Sequence, residues 1–316
     1  MIKLIVQIPA YNEEHQIGKV VCAIPRSAML GVEVEVLIVD DGSDDGTVSA
    51  ALKAGADHII RHSRNRGLAR TFESGISACL EKGADIIVNI DADMQYDPAQ
   101  IPLLVEPIIS GQADVTIGNR QIWKSGSFGL VKRLFQSLGS RVVSRLSGQR
   151  ILDAVSGFRG YSRDAALDLN ILSDFSYTTE SILQAGAQRK NIVSIPITRR
   201  DDIRPSRLAR SSSQFVIKQA STIVRSYIMY RPLRTFFSIG AFFLIAGLLP
   251  VIRFIYSYVV SDGGGHVQSL ILAAALLIIA FVVFALGIVA DLIGFNRKLL
   301  ERNLRISKSL LFENNR

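Results

Sequence analysis

Two carboxylates stand two residues apart in Asp91-Ala92-Asp93-Met94-Gln95, directly after the strand-like run Asp85–Ile90. Acids placed so at the exit of a buried strand can face one point. Oxygen ligands of this kind suit Mg2+ or Mn2+ bridging a diphosphate. An ion held there would neutralise a departing nucleoside diphosphate. Further polar clusters also follow apolar runs. Pro9-Ala10-Tyr11-Asn12-Glu13-Glu14 follows Lys3–Ile8, and Asp40-Asp41-Gly42-Ser43-Asp44-Asp45-Gly46-Thr47 follows Val34–Val39. Asn65-Arg66-Gly67, Gly118-Asn119-Arg120 and Val155-Ser156-Gly157-Phe158-Arg159, just after Asp153, complete the set. Asp44 and Asp45 read as turn and helix-capping acids. No Ser-His-Asp or Cys-His arrangement is evident, so His15, His58, His62 and His266 receive no role. Met94 and Tyr96 read as loop packing.

The elements that must position these clusters alternate. Strand patterns cover Lys3–Ile8, Val34–Val39, Asp57–Arg61, Asp85–Ile90 and Ala113–Gly118. Helical spacing covers Glu14–Ala23, Gly46–Ala54, Gly67–Lys82 and Pro98–Ser110. Such alternation predicts an α/β fold with a mostly parallel sheet. Ligands of such sheets bind beyond the carboxyl ends of the strands. The clusters after Ile8, Val39 and Ile90 fall there, which predicts one site built from several loops. Further on, Phe128–Leu146 reads as a basic helix, Asp153–Ser162 as loop and strand, and Ile192–Ile197 as a strand.

Charge and hydropathy divide the chain. Residues 1–198 hold 20 Lys+Arg and 22 Asp+Glu, whereas residues 199–316 hold 16 and 6. The basic excess flanks apolar segments, which points to an anionic membrane rather than to nucleic acid. Thr235–Ile252 has 18 residues without charge and Val267–Ala290 has 24. At 1.5 Å per residue, the longer makes a helix of roughly 36 Å, enough for a hydrocarbon core of about 30 Å. Arg231 and Arg234 precede the pair, and Arg297, Lys298, Arg302 and Arg305 follow it. The positive-inside bias then puts both ends of a transmembrane hairpin in the cytoplasm. Gln214–Tyr230 reads as an amphipathic helix at the membrane interface. No secretory signal is visible, because Met1–Pro9 runs as a strand into a polar motif. Cys22 and Cys79 lack metal-ligand spacing and fit a reducing compartment. The expected organisation is a catalytic domain over 1–210, a juxtamembrane helix over 211–234, two spans over 235–290 and a basic tail over 291–316.

The ordered motifs resemble glycosyltransferase family 2, and within it the branch that acts on polyprenyl phosphates. The resemblance covers roughly residues 1–230 and rests on the clusters quoted above, with Val155–Arg159 especially typical of the branch. It implies a GT-A fold, Rossmann-like, and inverting transfer of a hexose from a nucleotide-sugar to polyprenyl phosphate. UDP-glucose is the favoured donor and GDP-mannose the second. The setting it implies is the cytoplasmic leaflet of a bacterial inner membrane, and a homo-oligomer is compatible with it.

By the same resemblance, Pro9, Tyr11 and Glu13 hold the nucleoside, and Asp40 or Asp41, with Asp41 preferred, contacts base or ribose. Asp91, Asp93 and Gln95 bind metal and diphosphate, with Asp91 also at the nucleotide-sugar. Arg120, Arg133, Arg204 and Arg207 match cations for the acceptor phosphate, whose repulsion from the diphosphate guanidinium groups screen bidentately. Arg210 stands where glycine is usual after that pair, leaving the register between Arg204 and Arg207 open. The stretch Arg199–Arg210 also reads as a surface for anionic lipid, at about 1 kcal/mol per cation. Asp153 matches a general base. A phosphomonoester with a second pKa near 6 is mostly deprotonated at neutral pH, so Asp153 either removes a proton or orients the acceptor. Processive polysaccharide synthases share the front motifs, but they carry a Gln-x-x-Arg-Trp element, and the single tryptophan here is Trp123. Intact acids argue against a non-enzymatic scaffold, and the spans against nucleic-acid binding.

Overall fold

The computed structural model describes residues 1–121, 130–171, 177–198, 221, 224–225, 227–260 and 267–313, without the side chains of 130–136. The chain divides into two units, residues 1–224 with 303–316, and residues 225–302.

The first unit is built on seven strands: β1 (Ile2–Ala10), β2 (Val32–Asp40), β3 (His58–Arg61), β4 (Ile86–Asn89), β5 (Val115–Asn119), β6 (Arg159–Ser162) and β7 (Ile192–Pro196). Their order is β3-β2-β1-β4-β6-β5-β7. All pairings are parallel except those of β6, which runs against β4 and β5. The last seven residues of β1 are buried without interruption, as a strand covered on both faces requires. One face carries α1 (Glu14–Ala23), α2 (Thr47–Lys53) and α4 (Ile101–Ile109), whose Ile17, Ala51 and Leu104 join Leu4, Val6 and Ile38 in one core. The other carries α3 (Leu68–Glu81), α5 (Leu130–Ser147), α6 (Arg163–Asp168) and α7 (Tyr177–Ala187). From these, Phe72, Val143, Ala165 and Tyr177 join Ile5, Leu37 and Ile87 in the second core. The expected GT-A-like α/β fold with a mostly parallel sheet is therefore what forms.

The register sets up the site. Ala10 pairs with Asp40, and Gln7 with Asn89, so β1, β2 and β4 release their loops at one edge. Strand β6 begins at that same edge because it runs the other way, with Arg159 opposite both Asn89 and Ile117. Its antiparallel course is what brings the segment 153–158 beside the acids that follow β4.

The second unit contains most of two long helices, α8 (Pro232–Val260) and α9 (Val267–Glu313). Both are long and apolar enough to cross a membrane, and their apolar windows are hardly buried. Small residues recur every seven positions, at Gly240 and Gly247 on α8 and at Ala273, Ala280, Gly287 and Gly294 on α9. A Cβ on Gly240 would lie 2.7 Å from the Phe284 ring, and one on Gly287 2.8 Å from Phe236. Small residues at such a seam let two helices approach closely where no hydrophobic effect drives them together.

Helix α9 is continuous to Glu313, past Ala290, where the sequence suggests a span giving way to a basic tail. Its final turns belong to the first unit. Arg305 donates to Asp168 at 3.1 Å and pairs with Asp164. The Lys308 ammonium donates to the Leu169 carbonyl at 2.9 Å and to Asn170 Oδ1 at 3.0 Å. Arg163 donates to the Phe312 carbonyl at 3.2 Å, and the Phe312 ring is buried in the α3/α6 core. The exposed Arg305–Asp164 pair contributes little; burying the ring contributes about 2 kcal/mol.

Candidate active site

The loops after β1 and β2 are stitched together. Asn12, at φ 53°, donates its amide to Ser43 Oγ at 2.9 Å and accepts from the Asp44 amide at 3.0 Å. Asparagine tolerates this left-handed conformation better than most residues. The Glu13 amide donates to Thr47 Oγ1 at 2.9 Å. Asp45 accepts from the Thr47 amide at 3.0 Å, which is the turn role expected of it; the N-cap of α2 is Gly46, with no side-chain cap. Pro9 is buried and the Tyr11 ring is exposed on this loop.

Asp40 and Asp41 are both buried. Asp40 accepts from the Ser43 amide at 3.3 Å and pairs with Arg61 at 3.2 Å. Asp41 gathers its neighbours more tightly. Its Oδ1 meets His62 Nδ1 at 2.8 Å and the Arg66 amide at 2.9 Å, and its Oδ2 accepts from the Gly67 amide at 2.9 Å. His62 Nε2 lies 3.1 Å from Ser74 Oγ on α3. Asp41 thus holds Arg66-Gly67 in place, with His62 as its buttress.

The acids after β4 rest on a buried polar frame. Gln7 donates to Asn89 Oδ1 at 2.9 Å, and Asn89 Nδ2 donates to the Gly157 carbonyl at 2.8 Å and to the Tyr177 hydroxyl at 3.0 Å. The Tyr96 hydroxyl accepts from the Gly157 amide at 3.1 Å, with its ring 5.4 Å from that of Phe158. A Cβ on Gly157 would stand 2.7 and 2.8 Å from the two carboxylate oxygens of Asp91. The missing side chain is the space that Asp91 occupies. Asp93 accepts from the Gln95 amide at 3.1 Å and from Gln95 Nε2 at 2.7 Å. Met94 between them has φ 60°, a costly conformation for its type.

Opposite stands a buried ion pair. Arg120 Nε donates to Asp153 Oδ2 at 2.7 Å and Nη2 to Oδ1 at 2.9 Å. Asp153 is 0% exposed and also accepts from the Arg120 and Val155 amides at 3.3 Å. Burial alone would raise the Asp153 pKa, but the charge and hydrogen bonds of Arg120, with the two amides, hold it below the ordinary range. Two of the five guanidinium N–H donors are engaged in this pair, leaving others for an anion. Arg159, wholly buried, donates to the carbonyls of Ser156 at 2.8 Å, Thr178 at 2.6 Å and Ala154 at 2.9 Å, and to Ser181 Oγ at 2.8 Å. It fixes the 154–156 segment between Asp153 and Gly157.

Electrostatically, Asp91 is the strained member. Burial first, and the Asp93 charge second, push its carboxyl up to about 7, against the pull of Arg120 and Arg159. Two crowded carboxylates of this kind fit a divalent cation, which would favour both ionised forms. Among the described residues no group of three His, Cys, Asp or Glu gathers to hold a metal. Mg2+ takes one or two carboxylates and completes its shell with water and substrate phosphate.

The family model described as Glycosyl transferase family 2 matches residues 5–169. The chain belongs to this family. An undecaprenyl-phosphate mannosyltransferase of Micrococcus luteus is 30% identical over 205 residues, covering 60% of this chain and 81% of the relative. A polyprenol monophosphomannose synthase of Mycolicibacterium smegmatis is 30% identical over 211 residues, covering 62% and 77%. Among solved structures, the glucosyl-3-phosphoglycerate synthase of Mycobacterium tuberculosis, in complex with Mn2+, UDP and phosphoglyceric acid, superposes with a TM-score of 0.55. It is 21% identical and covers 70% of this chain and 78% of that one, a likeness of fold.

In this glycosyltransferase the structure brings Asp91, Asp93, Gln95, Arg120 and Asp153 to one edge of the sheet, alongside Pro9, Tyr11, Glu13, Asp40 and Asp41. Arg133 lies on α5, but its side chain is outside the described residues, as are Arg204, Arg207 and most of 211–226. Among the supporting residues, His62, Asn89 and Tyr96 carried no sequence signal for their roles, whereas Gly157 and Arg159 stood in the Val155–Arg159 motif without an individual role. Tyr96 does more than pack its loop, because its hydroxyl anchors the Gly157 amide.

Gly157→Ala is expected to displace the Asp91 carboxylate and to lower kcat/KM for sugar transfer roughly 10²-fold, the scale of an ångström-sized misplacement. Steady-state kinetics with a melting curve as control checks it; wild-type rates would mean that Asp91 needs no such cradle. His62→Ala is expected to cost about 1–3 kcal/mol of stability by leaving buried Asp41 short of a partner, read by chemical denaturation.

Proposed function

We propose that this glycosyltransferase moves a hexose from a nucleotide-sugar to the phosphate of a polyprenyl lipid at the cytoplasmic face of a membrane. One juxtaposition carries the reading. Asp91 and Asp93 sit at the carboxyl edge of the sheet near the Arg120–Asp153 pair, in a chain that also has two helices of membrane-crossing length. The relatives named for undecaprenyl phosphate and for polyprenol monophosphomannose support the acceptor class.

The β1 and β2 loops, through Pro9, Tyr11, Glu13 and the Asp40–Asp41 segment, hold the nucleoside. Asp91 and Asp93, with Gln95, hold a Mg2+ or Mn2+ ion. When bound, that ion supplies charge neutralisation to the diphosphate of the leaving nucleotide. Arg120 offers its remaining N–H donors to phosphate oxygen. Asp153, saturated by Arg120 and acidified by it, orients that arginine instead of taking a proton. A lipid phosphate oxygen attacks the anomeric carbon, the bond from that carbon to the diphosphate oxygen breaks, and the nucleoside diphosphate leaves from the opposite face. The single displacement inverts the configuration and needs no covalent enzyme intermediate.

The donor preference shifts from the one suggested by sequence. Both relatives are named for mannose, which favours GDP-mannose over UDP-glucose. A screen of nucleotide-sugars against undecaprenyl phosphate, with mass analysis of the lipid product, tests the proposal. The expected product is a hexosyl phospholipid, formed with Mg2+ or Mn2+ and lost at least 10²-fold on chelation; no glycolipid from any donor would sink the reading.

A further inference from the structure

The second unit holds an open groove of about 760 Å³, lined by Tyr227, Arg234, Phe237, Ser238, Ala241 and Phe284. Its volume lies in the range of small-molecule sites. Arg234, Phe237, Ser238 and Ala241 recur at spacings of three and four, so they share one face of α8. Along that face the lining changes from cationic to apolar over about 10 Å, at the standard helical rise.

At the head end, Arg234 is exposed, no acidic residue lines the groove, and among the described residues no carboxylate pairs with this arginine. Arg297 differs. Its guanidinium lies 4.3 Å from the centre of the Tyr230 ring and pairs with Glu301 at 2.7 Å. Deeper in, the Phe237 and Phe284 rings, with centroids 5.0 Å apart, form an aromatic wall. An arginine above a hydrocarbon-facing cleft complements an amphiphile with an anionic head and one chain. The π surface suits the branched, unsaturated carbons of a prenyl chain.

We propose that this groove seats the phosphate-bearing end of the polyprenyl acceptor, with Arg234 at the phosphate and the Phe237–Phe284 wall against the first prenyl units. The inference rests on the acceptor class proposed above. It concerns where the lipid waits, separately from the chemistry.

Full-length protein in phosphatidylcholine nanodiscs, labelled with a diazirine-bearing prenyl phosphate, tests it. Labelling is expected on the peptides containing Phe237 and Phe284. Undecaprenyl phosphate should displace the label, and phosphatidylglycerol at the same mole fraction should not. Arg234→Glu, which reverses the head charge, and Ala241→Trp, which fills the cleft, should each cut labelling at least tenfold while the melting temperature holds. Equal displacement by phosphatidylglycerol would make this a general anionic-lipid site and overturn the proposal. So would undiminished labelling in both variants. Labelling is read without turnover. Failure of sugar transfer with intact labelling therefore defeats the proposed function alone, and transfer without labelling at these peptides defeats the groove alone.

Discussion

Replacing Asp93 with alanine is expected to drop sugar transfer on the order of 10³-fold, about 4 kcal/mol of transition-state stabilisation. The diphosphate would then leave with its charge poorly neutralised. The Asp93 side chain is half-exposed and accepts from Gln95 within the same loop, so the fold should survive. Because the Asp93 charge is the second cause of the raised Asp91 pKa, the variant should also bring that carboxyl down, with burial still holding it above the ordinary range. Product formation measured beside a circular-dichroism melt checks both halves. Transfer within tenfold of wild type, at unchanged stability, would place the essential charge elsewhere.

Asp153→Ala is the second large effect, and it should cost stability as well as rate. Removing one partner of a buried pair leaves the other charge uncompensated, typically at about 3–5 kcal/mol. Arg120, only 9% exposed in its side chain, has little solvent to turn to. Asp153→Asn keeps an acceptor and should lose less stability, yet it too should raise the KM for the lipid phosphate, because Arg120 is no longer aimed. The pH dependence follows from the lowered Asp153 pKa. Its contribution is complete above the unfolded carboxyl value of about 3.9. It fades only as pH falls through the lower folded value. The stability gap between wild type and Asp153→Ala should therefore stay constant from pH 8 to about pH 4 and narrow below that, as read by denaturant titrations across pH. A gap that closes near neutrality would contradict the ion pair.

Much of this architecture was legible from local pattern. Val34–Val39 and Ile86–Ile90 are β-branched runs that end in acids, and parallel pairing places such ends together. What local pattern lacks is pairing partner and direction. Arg159–Ser162 is four residues long, and nothing within it says that it runs against Ile86–Asn89. Yet that reversal is what carries Asp153 and Gly157 to the acids. The His62–Asp41 contact joins residues 21 apart in sequence, and a lone histidine after a strand gives no hint of it. The Asp91 cradle is invisible for another reason, since a glycine announces freedom of the backbone and not which neighbour uses its empty side. At the far end, the cations from Arg297 to Lys308 read as a solvated tail. The apolar Phe312 beyond them was the quiet sign that the helix ends in a core.

That docked end has a topological consequence. Phe312 shares one hydrophobic interior with the central sheet, so the chain that leaves this unit before α8 rejoins it within α9, and its core is complete only once both apolar helices have been made.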